Sequence, residues 1–422
     1  MPKRAFIGGE DGKARRVTKM YVGVDDTAKK VQRGYIGVGG VARPFFFGGE
    51  LTYYGEISPI NQKRYDLAAT AIGDHALIGG GRYHDDGTTV TSYTDVYNKD
   101  FTKGTAIYGY GRHCLSATHN DKYAMFGGGY SGTSTGYPSD TVWAFNEELQ
   151  RVGATSFPID VGLGAATYFN GYAIFSPVDG DSGSSSAADV SDWFCAYNNN
   201  LVRTRVNTYV MEASQLGTLG DWLFVGEGAN VNYGSDNVYR YDYETDVYDK
   251  DFVRKTTMNI TSDKRGNYVF ATVGRSNAQR KMLLVAGGNG DPEGEIWEDP
   301  VASDVVDVIY PTLSRGTPIR LRDARTGFHG VDVEDFAVFL GGCYYEDDPE
   351  GEVRYYTRWR HSVEVFDDLL LRYHPDDMLY ARTDHAVTVF NDSILVAGGQ
   401  GTTSTTYFSY TPINSVEVYK VL

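Results

Sequence analysis

The sequence predicts an all-β fold: a seven-bladed β-propeller closed by an N-terminal strand and preceded by a small segment of β-hairpin repeats. Three observations carry this prediction. A short apolar run recurs seven times, ending in glycine in six copies and in serine in the third, with its marker residues at 79, 127, 176, 226, 287, 341 and 398. The intervals run from 48 to 61 residues, and a period near ~50 is that of a propeller repeat. Each run has a strand of small residues ahead of it and a valine- and aromatic-rich strand after it. The last copy ends before its fourth strand, whereas an unpartnered strand-like segment precedes the first.

Taken in chain order, residues 1–46 hold a shorter repeat. Phe6-Ile7-Gly8, Tyr21-Val22-Gly23 and Tyr35-Ile36-Gly37 each lead through a turn to Ala14, Ala28 and Ala42, which are spaced 14 residues apart. Asp11-Gly12 and Gly39-Gly40 supply turn residues that accept positive φ, so each unit reads as strand, turn, strand. Such hairpins are marginal alone and are expected to pack on something else. Gly37-Val38-Gly39-Gly40-Val41-Ala42 matches the spacing of a dinucleotide loop. That loop must open a helix, which Arg43-Pro44-Phe45-Phe46-Phe47 cannot do, so it reads as a turn.

Residues 47–422 form the second unit. Ala68-Ala69-Thr70, Ser116-Ala117-Thr118, Ala165-Ala166-Thr167 and Ala386-Val387-Thr388 are small enough for innermost strands crowded around one axis. The glycine-ending runs follow as second strands: Ala76–Gly81, Tyr123–Gly129, Tyr172–Ser176, Trp222–Gly226, Met282–Gly288, Ala337–Gly342 and Ser393–Gly399. Third strands are expected at Thr94–Tyr97, Val142–Phe145, Val238–Tyr241, Val363–Phe366 and Val416–Tyr419, their valines and aromatics on a buried face. Outer strands are expected at Leu149-Gln150-Arg151, Leu201-Val202-Arg203, Leu313-Ser314-Arg315 and Leu370-Leu371-Arg372. Too little chain remains after Tyr419 for another, so Leu51–Ile57 is expected to complete the last blade and remove its open edge.

Composition narrows the function. The chain has 422 residues, 50 glycines, 13 prolines and 33 tyrosines, which suits many short strands. No run approaches the ~20 apolar residues of a membrane span, and no apolar stretch follows Met1-Pro2-Lys3-Arg4, so neither membrane insertion nor a secretory leader is expected. Cys114, Cys195 and Cys343 are far apart and form no disulfide or zinc framework, which suits assembly in a reducing cytoplasm. The net charge is −16, yet residues 1–46 carry ten basic and four acidic residues. The acidic remainder argues against nucleic acid as a partner. The basic head offers Arg4, Arg15, Arg16, Lys29, Lys30, Arg33, Tyr35 and Arg43 for docking on an acidic neighbour.

Two resemblances follow from these motifs. The units ending in Ala-Arg or Ala-Lys, with Gly34 to Phe46 the best match, resemble the N-terminal segments of phage and prophage structural proteins of Gram-positive gut bacteria. That resemblance implies a virion component, assembled in the host cytoplasm, whose N-terminus attaches to other virion proteins. Residues 48–422 resemble kelch propellers in the double glycine and the trailing aromatic. They depart from them in lacking most outer-strand tryptophans, and in the third and fourth copies, which lack the double glycine.

No catalytic set stands out. Some kelch-like propellers are copper radical oxidases, for which His113, His329 and His385 are the available histidines. Their wide spacing is no ligand signature, so hydrogen bonding to backbone or lining a wet channel is the expected role, with no metal or cofactor. Asp179-Gly180-Asp181-Ser182-Gly183 resembles the start of a calcium loop but lacks the closing glutamate. The Ser-x-Asp-x-Gly-x-Thr-Trp turns of sialidase propellers and a phosphate-binding Gly-Lys-Ser/Thr are both absent. What remains are loops after the glycine pairs, carrying Tyr83, His84, Tyr130, Tyr137, Tyr233, Trp297, Tyr344, Tyr345, Tyr356, Trp359, Tyr407 and Tyr410. Such aromatics suit non-covalent binding, including stacking on sugar rings; the alternative is that they pack down as cores of their loops. The expectation is therefore a non-enzymatic phage appendage, of tail or head fibre type and oligomeric on the particle, that binds host-surface polysaccharide or other glycans. A collar or decoration protein contacting only virion proteins is the alternative, and a glycan-active or copper-dependent enzyme a third.

Overall fold

The computed structural model describes residues 6–8, 14–16, 20–24, 27–31, 33–38, 41–47, 50–83, 89–109, 111–132, 137–153, 156–179, 193–208, 215–226, 244–263, 265–274, 280–290, 301–347, 355–402 and 411–421. Among these residues the regular elements are all β-strands. Seven four-stranded antiparallel sheets follow one another along the chain, arranged as in a β-propeller. In the first, Ala68–Ile72 pairs with His75–Gly79, then come Tyr93–Asn98 and Ile107–Tyr108. The later sheets begin at Ser116–His119, Val161–Phe169, Gln215–Leu219, Val269–Val273, His329–Val333 and Ala386–Phe390. These leading strands touch one another in order, and the last touches the first. Small residues make the approach possible: a Cβ on Gly217 would stand 2.6 Å from the Phe270 ring.

The core lies between sheets. Each buried cluster joins one sheet to its neighbour, as when Leu77 of the first meets Phe126 and Phe145 of the second. Ala76, Ile78 and Tyr97 of the first sheet likewise pack with Leu395, Ala397 and Val418 of the last. That last sheet is completed as expected: Leu51–Ile57 runs antiparallel to Val416–Val421, with Leu51 opposite Val421 and Ile57 opposite Val416.

The glycine pairs are where adjacent sheets are tied. Gly81 donates its N–H to the Arg112 carbonyl at 2.8 Å, Gly288 to Arg325 at 2.9 Å, Gly342 to Arg382 at 2.9 Å, and Gly399 to Arg64 at 2.8 Å. Gly398 has φ of 60°, and a Cβ there would lie 2.8 Å from the Arg64 carbonyl oxygen. Glycine meets both demands at once, a left-handed backbone and no side chain.

The same arginines point inward. Arg382 is fully buried and donates to the Gly398 carbonyl at 3.0 Å, to Ser415 Oγ at 2.7 Å and to Glu417. Arg64 meets Ile78 O and Asp95, Arg265 meets Val285 O and Asp307, and Arg325 meets Gly341 O and Glu364. The third strands thus bury acids as well as valines: Asp95, Glu364 and Glu417 are each 0% exposed. The sequence reading gave that face to apolar residues alone; pairing with arginine is what lets the acids enter.

Two expected elements are displaced. The third strand of the fourth sheet is Glu244–Tyr248, while Val238–Tyr241 lies outside the described residues. Thr245-Asp246-Val247-Tyr248 repeats Thr94-Asp95-Val96-Tyr97 letter for letter. The outer strands begin after the expected leucines, as at Arg151–Gly153 and Arg203–Asn207, or Arg372–Tyr373. Leu149, Leu201, Leu313 and Leu370 instead occupy the preceding turns with φ of 58° to 61°. Leu313 is followed later still, by Ile319–Arg320.

The N-terminal repeat forms three hairpins: Phe6–Gly8 with Ala14–Arg16, Met20–Val24 with Thr27–Val31, and Arg33–Val38 with Val41–Phe47. In each, the recurring alanine stands opposite the recurring glycine, as Gly8–Ala14, Gly23–Ala28 and Gly37–Ala42. Gly37 and Val38 pair with Ala42 and Val41 in the third hairpin and the chain continues as a strand to Phe47, so the helix that a dinucleotide loop requires does not start at Val41.

Candidate functional site

The inner strands surround a polar cavity. Its end nearer the glycine pairs has a volume of about 720 Å³ and is lined by Leu115, Asn267, Gly327, His329, Thr383 and Asp384 among others. The opposite end, about 650 Å³, is lined by Thr70, Thr118, Thr167, Thr272, Asp332 and Thr388 among others. Small and hydroxyl side chains therefore shape the wall, as the sequence of the inner strands requires.

The rim at the glycine-pair end is built by a repeated local device. The residue before each turn into an inner strand pairs with the residue after a glycine pair: Tyr65 with Arg82, His113 with Tyr130, Thr326 with Cys343, and Thr383 with Gln400. The next residue adopts a left-handed backbone: Asp66 (φ 55°), Cys114 (53°), Asn267 (51°), Gly327 (61°) and Asp384 (52°). For residues other than glycine this conformation costs about 1–2 kcal/mol. The rim is also stitched from sheet to sheet, since Asp66 N–H donates to Asp384 O and Cys114 N–H to Asp66 O, both at 3.0 Å.

Chemistry is concentrated in the sector where the last, first and second sheets meet. Arg82 donates through Nε to Asp66 Oδ2 at 2.9 Å, and its guanidinium lies 4.8 Å from the Tyr65 ring centre. His113 stacks on Tyr130 at 5.6 Å, and its Nδ1 lies 3.2 Å from Cys114 Sγ. Desolvation by the surrounding rim, with the Asp66 charge beside it, pushes the Asp384 carboxyl up to about 6, even though the residue keeps solvent exposure where it lines the cavity. Burial and then Asp66 also raise the Cys114 thiol, favouring its protonated form. Among the described residues, the fifth sheet contributes a neutral contact to the rim, where Asn267 donates to Asn289 Oδ1 at 2.9 Å.

The three histidines divide. His329 donates from Nε2 to the His385 carbonyl at 2.7 Å and lines the cavity, as the backbone-bonding reading expects. His385 is buried against Gly341 and Gly399, and burial lowers both imidazoles below their usual range. His113 belongs to the charged sector, with Asp66 and Cys114, a grouping that sequence spacing hides.

Of the loop aromatics, Tyr137 is 82% exposed, whereas Tyr83, Tyr130, Tyr344 and Trp359 are half-buried. Tyr130 packs down: a Cβ on Gly162 would stand 2.1 Å from its hydroxyl. Arg360 covers the Tyr344 ring at 4.0 Å. Cys343–Asp347 and Tyr355–Trp359 form a hairpin in which Tyr345 stands opposite Thr357 and Tyr356 opposite Glu346. Backbone alone places those two tyrosines. His84, Tyr233, Trp297, Tyr407 and Tyr410 lie outside the described residues, as do Arg4 and the calcium-like loop beyond Asp179. Arg15, Arg16, Lys29, Lys30, Arg33, Tyr35 and Arg43 fall on the N-terminal hairpin strands.

No known protein family matches the chain, and no curated protein matches it in sequence. Among solved structures it is similar to one titled "Structure of YjhT", at 12% identity and a TM-score of 0.49, over 87% of this chain and 98% of that one.

Proposed function

We propose that the seven sheets are the blades of a closed kelch-like propeller, and that it serves as a non-enzymatic binding module of a phage-type virion. The loops that follow the glycine pairs would form the recognition face, and the basic N-terminal hairpins would dock the chain on other virion proteins. The observation that carries the binding reading is the gathering of the post-glycine segments around the mouth of the cavity. There they present a polar, charged rim, and the post-glycine segment of the second sheet carries the exposed Tyr137. A scaffold that fixes several loops at one end is the usual setting for recognition, and tyrosine gives contact area at small entropic cost. The three hairpins, each paired within itself, support a separate docking role for the basic head.

Host-surface polysaccharide is the ligand class that best fits aromatic loops beside polar groups. The test is a glycan array probed with the full-length chain. Binding is expected, with loss on Tyr137→Ala or Trp359→Ala while the unfolding temperature is kept. A blank array, together with normal incorporation into particles, would replace this reading with a collar role.

A further inference from the structure

We propose that Asp66, His113 and Cys114 form a binding site for a zinc-class divalent metal on the rim of the central cavity, with one coordination position left to solvent. The carboxylate, imidazole and thiol donor atoms all lie within 4.8 Å of one another. The His113 Nδ1 to Cys114 Sγ distance of 3.2 Å is already close to that of two donors sharing one ion. Metal–nitrogen and metal–sulfur bonds of about 2.0 and 2.3 Å place such donors about 3.5 Å apart. Small side-chain rotations therefore suffice to close the site.

The backbone holds the three residues in register. Cys114 N–H donates to Asp66 O at 3.0 Å, and His113 exchanges backbone bonds with Tyr130 at 3.1 and 2.9 Å while stacking on its ring. Arg82 grips Asp66 through Oδ2, as an outer-sphere partner orients a ligating carboxylate. The choice of residue is telling. At the equivalent left-handed positions stand Asp66, Asn267, Gly327 and Asp384, types that tolerate this conformation; Cys114 is the exception. Ligation gives a reason for a thiol there.

Charge also balances. Binding releases the thiol proton, so the ion, the thiolate and the Asp66 carboxylate sum to zero. Asp66 and Cys114 are only partly buried, which leaves water a route to the fourth position. Three protein donors with one open position is a common zinc arrangement.

Cobalt(II) titration of the full-length reduced protein tests this. One equivalent is expected to give tetrahedral d–d bands and a thiolate-to-cobalt charge-transfer band, and one equivalent of zinc should bleach them. Cys114→Ser should abolish the charge-transfer band while Cys195→Ser retains it. Asp66→Asn should weaken affinity by more than the roughly 10–100-fold cost of losing an outer-sphere contact. It also serves as the readout if Cys114→Ser does not fold. Absence of the band in the unaltered protein, its survival in Cys114→Ser, or unchanged affinity in Asp66→Asn would overturn the proposal.

Discussion

Replacing Arg382 by methionine keeps much of the side-chain volume and removes only the guanidinium. In the structure that group is fully buried and donates to Gly398 O, Ser415 Oγ and Glu417, itself 0% exposed. After the change Glu417 keeps the Leu379 amide at 2.7 Å but no longer has this cation beside it. An orphaned buried charge costs about 3–5 kcal/mol, a large part of the ~5–15 kcal/mol that holds a domain together. Removing the acid as well, in Arg382→Met with Glu417→Leu, should recover most of that loss, because the desolvation cost disappears with the charges. Arg320→Met provides the contrast. Arg320 pairs with Asp304 at the surface, its side chain 66% exposed, and its loss should cost no more than about 1 kcal/mol. Urea unfolding at pH 7.5, followed by far-ultraviolet circular dichroism, measures all three. A single-variant cost below about 1 kcal/mol, or a double variant no better than the single, would refute the assignment of the arginine–acid pairs as the inner struts of the sheets.

Other outcomes follow from the rim and the glycine pairs. Because the Asp384 carboxyl is raised from 3.8 to about 6, its stabilising contribution is complete below pH ~3.8 and lost as pH rises through 6. Asp384→Asn should therefore stabilise the protein by no more than about 1 kcal/mol at pH 7.5, because the residue is exposed and solvent screens its charge, and by little at pH 3.5, read from paired thermal melts. Gly398→Ala should cost about 2–5 kcal/mol in urea unfolding, from its left-handed backbone and the contact with Arg64 O. Gly132→Ala, left-handed but with nothing within 4 Å, should cost about 1–2 kcal/mol. Deleting residues 1–46 should leave the melting temperature unchanged, whereas deleting through Ile57 exposes the edge of Val416–Val421 and should lower it and promote aggregation in light scattering.

How much of this was legible in the sequence depended on the kind of pattern. The inner strands, the glycine-ending second strands and the pairing of Leu51–Ile57 with the final strand could be read because they repeat in composition and order. The arginine struts were missed, although Arg64, Arg265, Arg325 and Arg382 each stand four residues ahead of the first residue of an inner strand. Apolar periodicity gives no weight to a buried ion pair, so Asp95 and Glu417 looked like the solvated half of an alternating strand. The left-handed leucines were missed for a related reason: propensity places leucine in a strand, while the bond from Leu149 N–H to Asn146 O holds it in a turn. The rim sector was invisible because Asp66, His113 and Cys114 come together only where two sheets meet.

The pairing of Leu51–Ile57 with Val416–Val421 has a further consequence, for the timing of synthesis. Thr52 and Lys420, which share a bond in that sheet, are separated by 368 positions in the chain. A growing polypeptide can form hairpins sheet by sheet as it emerges, but this contact waits until Val416–Val421 has been made. Such long-range pairing is slow. Until that pairing forms, Leu51–Ile57 and Val416–Val421 each leave a strand edge bare, and forming it shields those edges from other copies of the chain.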